Sequence, residues 1–176
     1  MNEFGRLLEP EIPRLRRYAR ALTRNRAKAD DLVQSSLVRP LEKQHLWRPG
    51  SNLRAWLFTI LHNQHVNEVR RSLRQGSTGP VEDAEPIWRA EPVANTSLQL
   101  RDLERAINTL SHEQREVLLL VGLEGMRYEQ VAAILDLPVG TVRSRLSRAR
   151  STLRLLMDGA KSANDRWSER RDDLAA

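Results

Sequence analysis

Cysteine is missing altogether from this 176-residue chain. That single absence excludes disulfides, thiolate metal sites and cysteine nucleophiles. Aromatic residues make up only 5% of the sequence, and no apolar run approaches the ~20 residues that a membrane-spanning helix needs. The opening "MNEFGRLLEPEIPR" has no signal-like hydrophobic stretch, so the sequence predicts a cytoplasmic protein without membrane insertion. Strand alternation and hairpin turns are lacking throughout, which leaves an all-α fold. Catalytic patterns are lacking too: there is no phosphate-cradling glycine loop, no Ser/His/Asp order and no paired carboxylates. The chain therefore reads as a non-enzyme with no cofactor. His62 and His65 stand three apart, as metal ligands can, but no cysteine or carboxylate at matching spacing accompanies them and no metal site is expected.

What the chain has is positive charge, unevenly placed. Lys and Arg number 29 against 23 Asp and Glu, a net charge of +6, with an isoelectric point near 10.6. Residues 1–75 carry 15 basic and 7 acidic side chains. Residues 76–96 carry one Arg against four acids, together with three prolines and two glycines, and read as an acidic, irregular linker. Residues 97–158 follow as a second helical module, and the polar stretch 159–176 reads as a frayed, disordered tail. Two small helical domains on an acidic flexible tether are the simplest description.

Three helices are expected before the linker. The first spans about Glu11 to Leu22, striped by Ile12, Leu15, Tyr18 and Leu22. The second spans about Ala27 to Lys43, striped by Leu32, Val33, Leu37 and Leu41. Pro40 should kink it or end it early, so Pro40→Ala is expected to stabilise the module by about 1–3 kcal/mol. The third starts at an Asn52 cap and reaches about Leu73, with Leu53, Trp56, Leu57, Ile60, Leu61 and Val69 on its buried side. Its end, "HNQHVNEVRRSLR", replaces apolar residues by amides and arginines, which can contact bases and neutralise phosphate. Cations complementing a helix C-terminus are an equally good account of those residues taken alone.

The segment "LPVGTVRSRLSRAR", residues 137–150, is more decisive. At about 100° per residue, Val142, Leu146, Ala149 and Leu153 form one narrow apolar stripe. Ser144, Ser147, Arg148 and Ser151 lie opposite, with Arg143 and Arg150 on one flank and Arg145 on the other. Residues 141–154 hold five arginines and no carboxylate, whereas a merely solvated helix face mixes both signs. Before it, "YEQVAAIL" repeats at helical spacing and "DLPVG" supplies a turn, with Thr141 as the candidate N-cap. Helix, short turn and basic helix is the helix-turn-helix arrangement, whose second helix enters the major groove.

Three stretches together, "ADDLVQSSLVRPLEK", "NLRAWLFTILHNQHVNEVRR" and "YEQVAAILDLPVGTVRSRLSRAR", resemble the bacterial extracytoplasmic-function sigma factors of RNA polymerase over about residues 5–157. The resemblance implies a promoter-specificity subunit whose partners are core RNA polymerase, promoter DNA and an anti-sigma factor. It places polymerase contacts on Asp31, Leu32 and Gln34, with Val33 and Arg39 beside them. It places −10 recognition on Asn63, Asn67, Arg70 and Arg71, with the loop from His45 to Asn52 as a pocket for an extruded base. It places −35 recognition on Arg143, Ser144, Ser147 and Arg148, among the wider arginine-helix set Thr141, Arg145 and Arg150. Ser35 and Ser36, Pro40 and Arg127 depart from the family's usual acidic, helical and capping residues. The alternative is a stand-alone helix-turn-helix regulator, which would need neither a polymerase-binding helix nor a second nucleic-acid surface.

Overall fold

A computed structural model describes residues 3–44, 47, 48, 50–75 and 94–173, apart from the side chains of residues 3, 94–99 and 160–173. Most of the acidic linker and part of the His45–Asn52 loop lie outside the described residues. The first module comprises α1 (Glu3–Leu8), a 3-10 turn (Glu9–Glu11), α2 (Ile12–Thr23), α3 (Arg26–Glu42) and α4 (Leu53–Arg74). The second comprises α5 (Ala94–Thr109), α6 (His112–Leu118), a π turn (Leu119–Leu123), α7 (Tyr128–Leu135) and α8 (Val139–Asp173).

Asparagine opens both long helices of the first module. Asn25 Oδ1 accepts from the Lys28 N–H at 2.9 Å and Asn52 Oδ1 from the Ala55 N–H at 3.0 Å, each supplying a donor's missing partner in the first turn. Leu15, Tyr18 and Leu22 of α2, Leu32 and Val33 of α3, and Leu57, Phe58 and Leu61 of α4 are buried together. The Tyr18 and Phe58 rings lie 5.2 Å apart. Phe58 falls outside the expected stripe on α4, whereas Val69 and Leu41, expected inside, are exposed.

Pro40 does not end its helix. It sits inside α3, its ring is buried, and the ladder resumes with the Lys43 N–H donating to the Arg39 carbonyl at 2.9 Å. The ring takes the place in the core that Leu41 was expected to fill. The tail differs as well: α8 continues to Asp173. Residues 159–173 contain no proline and many good helix formers, so nothing local stops a helix already nucleated by packing.

In the second module Ser111 and Gln114 form a capping box that starts α6. Arg115 is buried and donates to the carbonyls of Ile107, Asn108 and Leu110, closing the end of α5 at 2.9–3.3 Å. Asp136 ends α7 in the left-handed region (φ 52°). The two modules pack on each other, α4 against α7 and α2 against α6 and the π turn. One continuous buried cluster therefore runs from Phe4 to Leu146.

Candidate nucleic-acid interface

The arginine helix begins at Val139, two residues before Thr141. The Pro138 carbonyl accepts from both the Thr141 and Val142 N–H groups, at 2.9 and 3.1 Å. Thr141 thus lies inside the first turn and is not the cap, and its own carbonyl accepts from the Ser144 hydroxyl at 3.0 Å. Val142, Leu146 and Ala149 are buried against α6 and α7, while Arg143, Ser144, Ser147, Arg148, Arg150 and Ser151 are exposed. The face read from the helical wheel is therefore the face presented.

A groove of about 400 Å³ runs along it, lined by Tyr128, Arg143, Leu146, Ser147, Arg150, Ser151 and Arg154. The Arg143 guanidinium stands 5.9 Å from the centre of the Tyr128 ring, at the outer limit of a cation–π contact. Tyr128 and Arg154 were not among the expected contacts; Arg154 follows Arg150 by one helical turn, whereas Tyr128 comes from α7 and no period on α8 connects it to the groove. Arg145 needs correction. Its side chain is only 21% exposed and pairs with Glu113 of α6 at 3.1 Å, so it braces α8 against its neighbour on the packed flank. At the start of α7, Gln130 Oε1 accepts from the Arg127 N–H at 3.0 Å, but an arginine side chain has no acceptor to complete the reciprocal bond.

The other candidate surface lies on α4. Asn63, Asn67, Arg70 and Arg71 share one side of the helix and are exposed, while His62 and His65 are buried on the other. The chain thus presents two separate exposed faces: amides with arginines on α4, arginines with serines on α8.

On α3, Asp31, Gln34 and Arg39 are exposed, but Leu32 and Val33 are fully buried core residues and cannot touch a partner. Their apolar character served packing. The exposed face instead continues from Asp31 and Gln34 to Val38 and Leu41, at i, i+3, i+7 and i+10, with the last two 51% and 49% exposed. Those two apolar residues were missed as surface because each fits a core periodicity equally well.

Charge is concentrated where the modules meet. Arg17 donates through Nε and Nη2 to Glu124 Oε1 at 3.2 and 2.8 Å, and Arg14 stands 3.9 Å from Oε2. His62 Nδ1 and His112 Nε2 approach Glu116 Oε1 at 3.0 and 3.3 Å, and the His65 and His112 rings lie 5.3 Å apart. Burial works to raise the Glu116 carboxyl, but His112 and His62 together outweigh it and hold it down at about 2. Burial, then the neighbouring His112, lowers His65 to about 4. Burial, then the carboxylates of Glu116 and Glu124, keep the Tyr18 phenol well above its ordinary value. Among the described residues no group of three or more such side chains is arranged to hold a metal ion, and no helix is long and apolar enough to cross a membrane.

Two families of sigma-factor domains match separate parts of the chain. Residues 8–62 match the family described as the Sigma2 domain of PhyR, and residues 100–153 match Sigma-70, region 4. The chain is 42% identical to an ECF RNA polymerase sigma factor, EcfG, of Rhodopseudomonas palustris, over 85% of this chain and 83% of that one. Among solved structures, it resembles the sigma factor RpoE of Bartonella quintana in complex with the anti-sigma factor NepR. There the TM-score is 0.76 at 38% identity, covering 90% of this chain and 98% of that one. It also resembles CnrH in complex with the cytosolic domain of CnrY, with a TM-score of 0.64 at 28% identity over 89% and 88% of the two chains.

Proposed function

Because this chain belongs to the extracytoplasmic-function (ECF) sigma factors of RNA polymerase, we propose that it directs promoter-specific initiation by binding core polymerase and reading two DNA elements, with no chemistry of its own. The observation that carries this reading is the pair of exposed faces on one ordered chain. The α8 face, Arg143, Ser144, Ser147, Arg148 and Arg150, fits the major groove of a −35 element: its side chains are cationic or short, so the helix can approach closely. The α4 face, Asn63, Asn67, Arg70 and Arg71, fits the −10 element, where amides stack or hydrogen-bond with bases and arginines neutralise phosphate. The α3 face of Asp31, Gln34, Val38 and Leu41, with Arg39 beside it, fits the polymerase, offering apolar area ringed by polar groups.

An anti-sigma factor is the expected inhibitor, supported by the likeness to RpoE solved with NepR. With RNA polymerase and promoter DNA as its proposed partners, we infer that it acts in the cytoplasm. Run-off transcription on a genomic promoter pool tests the proposal. Discrete starts that depend on added protein are expected, and Asp31→Arg combined with Gln34→Ala should abolish them without unfolding the chain. Because residues 8–62 match the PhyR sigma2 family, a decoy that only captures an anti-sigma factor is the second reading. Capture without any transcription start would establish it. Tight footprinting without polymerase would establish a stand-alone regulator.

A further inference from the structure

The loop between α3 and α4 is fastened to its module by aromatic rings. Phe4 of α1 is buried. Its ring lies 5.7 Å from that of Trp47, in the loop, and 6.4 Å from that of Trp56, near the start of α4. Both separations suit tilted or edge-on ring packing. The hydrogen bonds described within the loop are local. The Trp47 N–H donates to the Gln44 carbonyl at 3.2 Å, and the Ser51 N–H and hydroxyl donate to the Arg48 carbonyl at 3.0 and 2.7 Å. Each spans three residues, so together they shape the loop without tying its middle to another element. The indole N–H of Trp47 is buried with no acceptor among the described residues. Ring packing, and not hydrogen bonding, therefore places this side chain.

We propose that Phe4 and Trp47 are positioning residues for −10 recognition: Phe4, set between the two indoles, fixes the loop where the exposed Arg48 and Ser51 meet a base turned out of the duplex. The proposal rests on the promoter reading given above. The geometry of α4 supplies the frame. Asn52, where the loop joins α4, precedes Asn63 by eleven residues, which is about 16 Å along the axis and within about 20° around it. Arg70 falls on the same line. The loop therefore stands at the head of the face that carries Asn63, Asn67 and Arg70. Its distance from Asn63 corresponds to about five bases of one strand.

Turning a base out of the stack is unfavourable, and only a pocket that takes it up recovers the cost. A loop free to move would spend that binding energy on its own ordering and would tell bases apart poorly. This loop includes Gly50, whose φ of 88° suits glycine and whose backbone is the least restrained by its own side chain. Order has to come from outside the loop. Phe4 supplies it: Phe4 and Leu8, one turn apart, are buried, whereas Leu7 is 43% exposed. The single packed edge of α1 thus ends on the loop, and it orders the loop before DNA arrives.

Two measurements on the full chain test this: amide hydrogen exchange followed by NMR, and transcription from a recovered promoter varied base by base. In Phe4→Ala and in Trp47→Ala, exchange at the Trp47 and Ser51 amides should rise at least about tenfold while the buried turns of α4 keep their protection. Discrimination at one or two −10 positions should fall about tenfold, with −35 preference and affinity for core polymerase unchanged. Trp47→Phe keeps a ring and loses only the orphan N–H, so it should bring both readouts back to within about threefold of wild type. Unchanged exchange in both alanine variants would overturn the proposal, as would faster exchange with −10 discrimination intact. Equal losses at −10, at −35 and in polymerase binding would overturn it too, marking a general packing role. So would a Trp47→Phe variant as impaired as Trp47→Ala. Faster exchange together with no starts from the wild type would sink the promoter reading alone.

Discussion

His65 offers a measurable consequence of the way the modules pack. It is buried between α4 and α6, stacked on His112, and burial followed by the charge of His112 lowers it from 6.5 to about 4. A base with a depressed pKa favours the packed state only while it is neutral. Its contribution is therefore complete above about pH 6.5 and is lost progressively as the pH falls toward 4. The full shift bounds the effect at about 3 kcal/mol, and at about pH 5 the loss works out to roughly 2 kcal/mol. Glu116, lowered from 4.5 to about 2, acts in the same direction but in a different window. Its contribution is present above 4.5 and falls away only below that, so it adds a few tenths of a kcal/mol at most at about pH 5. Histidine dominates between neutrality and that pH.

The assay is urea unfolding of the full chain at about pH 7.5 and pH 5, compared with His65→Gln, which keeps a polar side chain of similar reach but cannot titrate. The wild type should lose roughly 2 kcal/mol across this interval, and the variant well under half of that. Equal losses in both proteins would refute the reasoning, because the acid sensitivity would then reside in other groups. A wild type as stable at the lower pH as at the higher would refute it too.

Three further outcomes follow from the packing. Arg148→Ala should cost about 1–3 kcal/mol in −35 binding and relax preference at one or two positions, whereas Arg145→Ala should mainly lower melting temperature by breaking the brace to Glu113, leaving base preference intact. Promoter-variant binding at several salt concentrations separates them, and altered base preference in Arg145→Ala would be contrary. Pro40→Ala should change stability by no more than about 1 kcal/mol in thermal unfolding, because the regained helix bond offsets the loss of about two buried methylenes and the looser unfolded chain. Arg115→Met should destabilise the second module by about 2–4 kcal/mol in denaturant titration, since three carbonyls at the end of α5 lose their donor.

The parts legible in the sequence were those encoded by neighbours a turn or two apart. Val142, Leu146 and Ala149 lie in one window, so the buried and exposed sides of α8 followed from counting, and the amide at Asn52 announced the start of α4. Errors arose where a local pattern had two tertiary outcomes. Leu41 and Pro40 compete for the same side of α3, and the ring won the core while Leu41 faced outward. Leu32 and Val33 sit within a stretch whose family role is partner binding, yet their burial shows that packing claims them and only Asp31 and Gln34 are left to the surface. Arg145 looked like its neighbours in composition. Glu113, 32 positions away, decides its role, and no period connects the two.

The charges gathered where the two modules meet were wholly outside such reasoning. Glu116 and Glu124 read as surface charge in "EQREVLLLVGLEGM", and His62 and His65 as isolated polar residues on an apolar helix. Only the docking of α2 and α4 against α6, α7 and the π turn brings them together. Asn63, Asn67, Arg70 and Arg71 on α4, and Arg143, Ser147 and Arg148 on α8, all remain exposed beside that docking. The packing that gathers the buried carboxylates therefore leaves both basic faces at the surface.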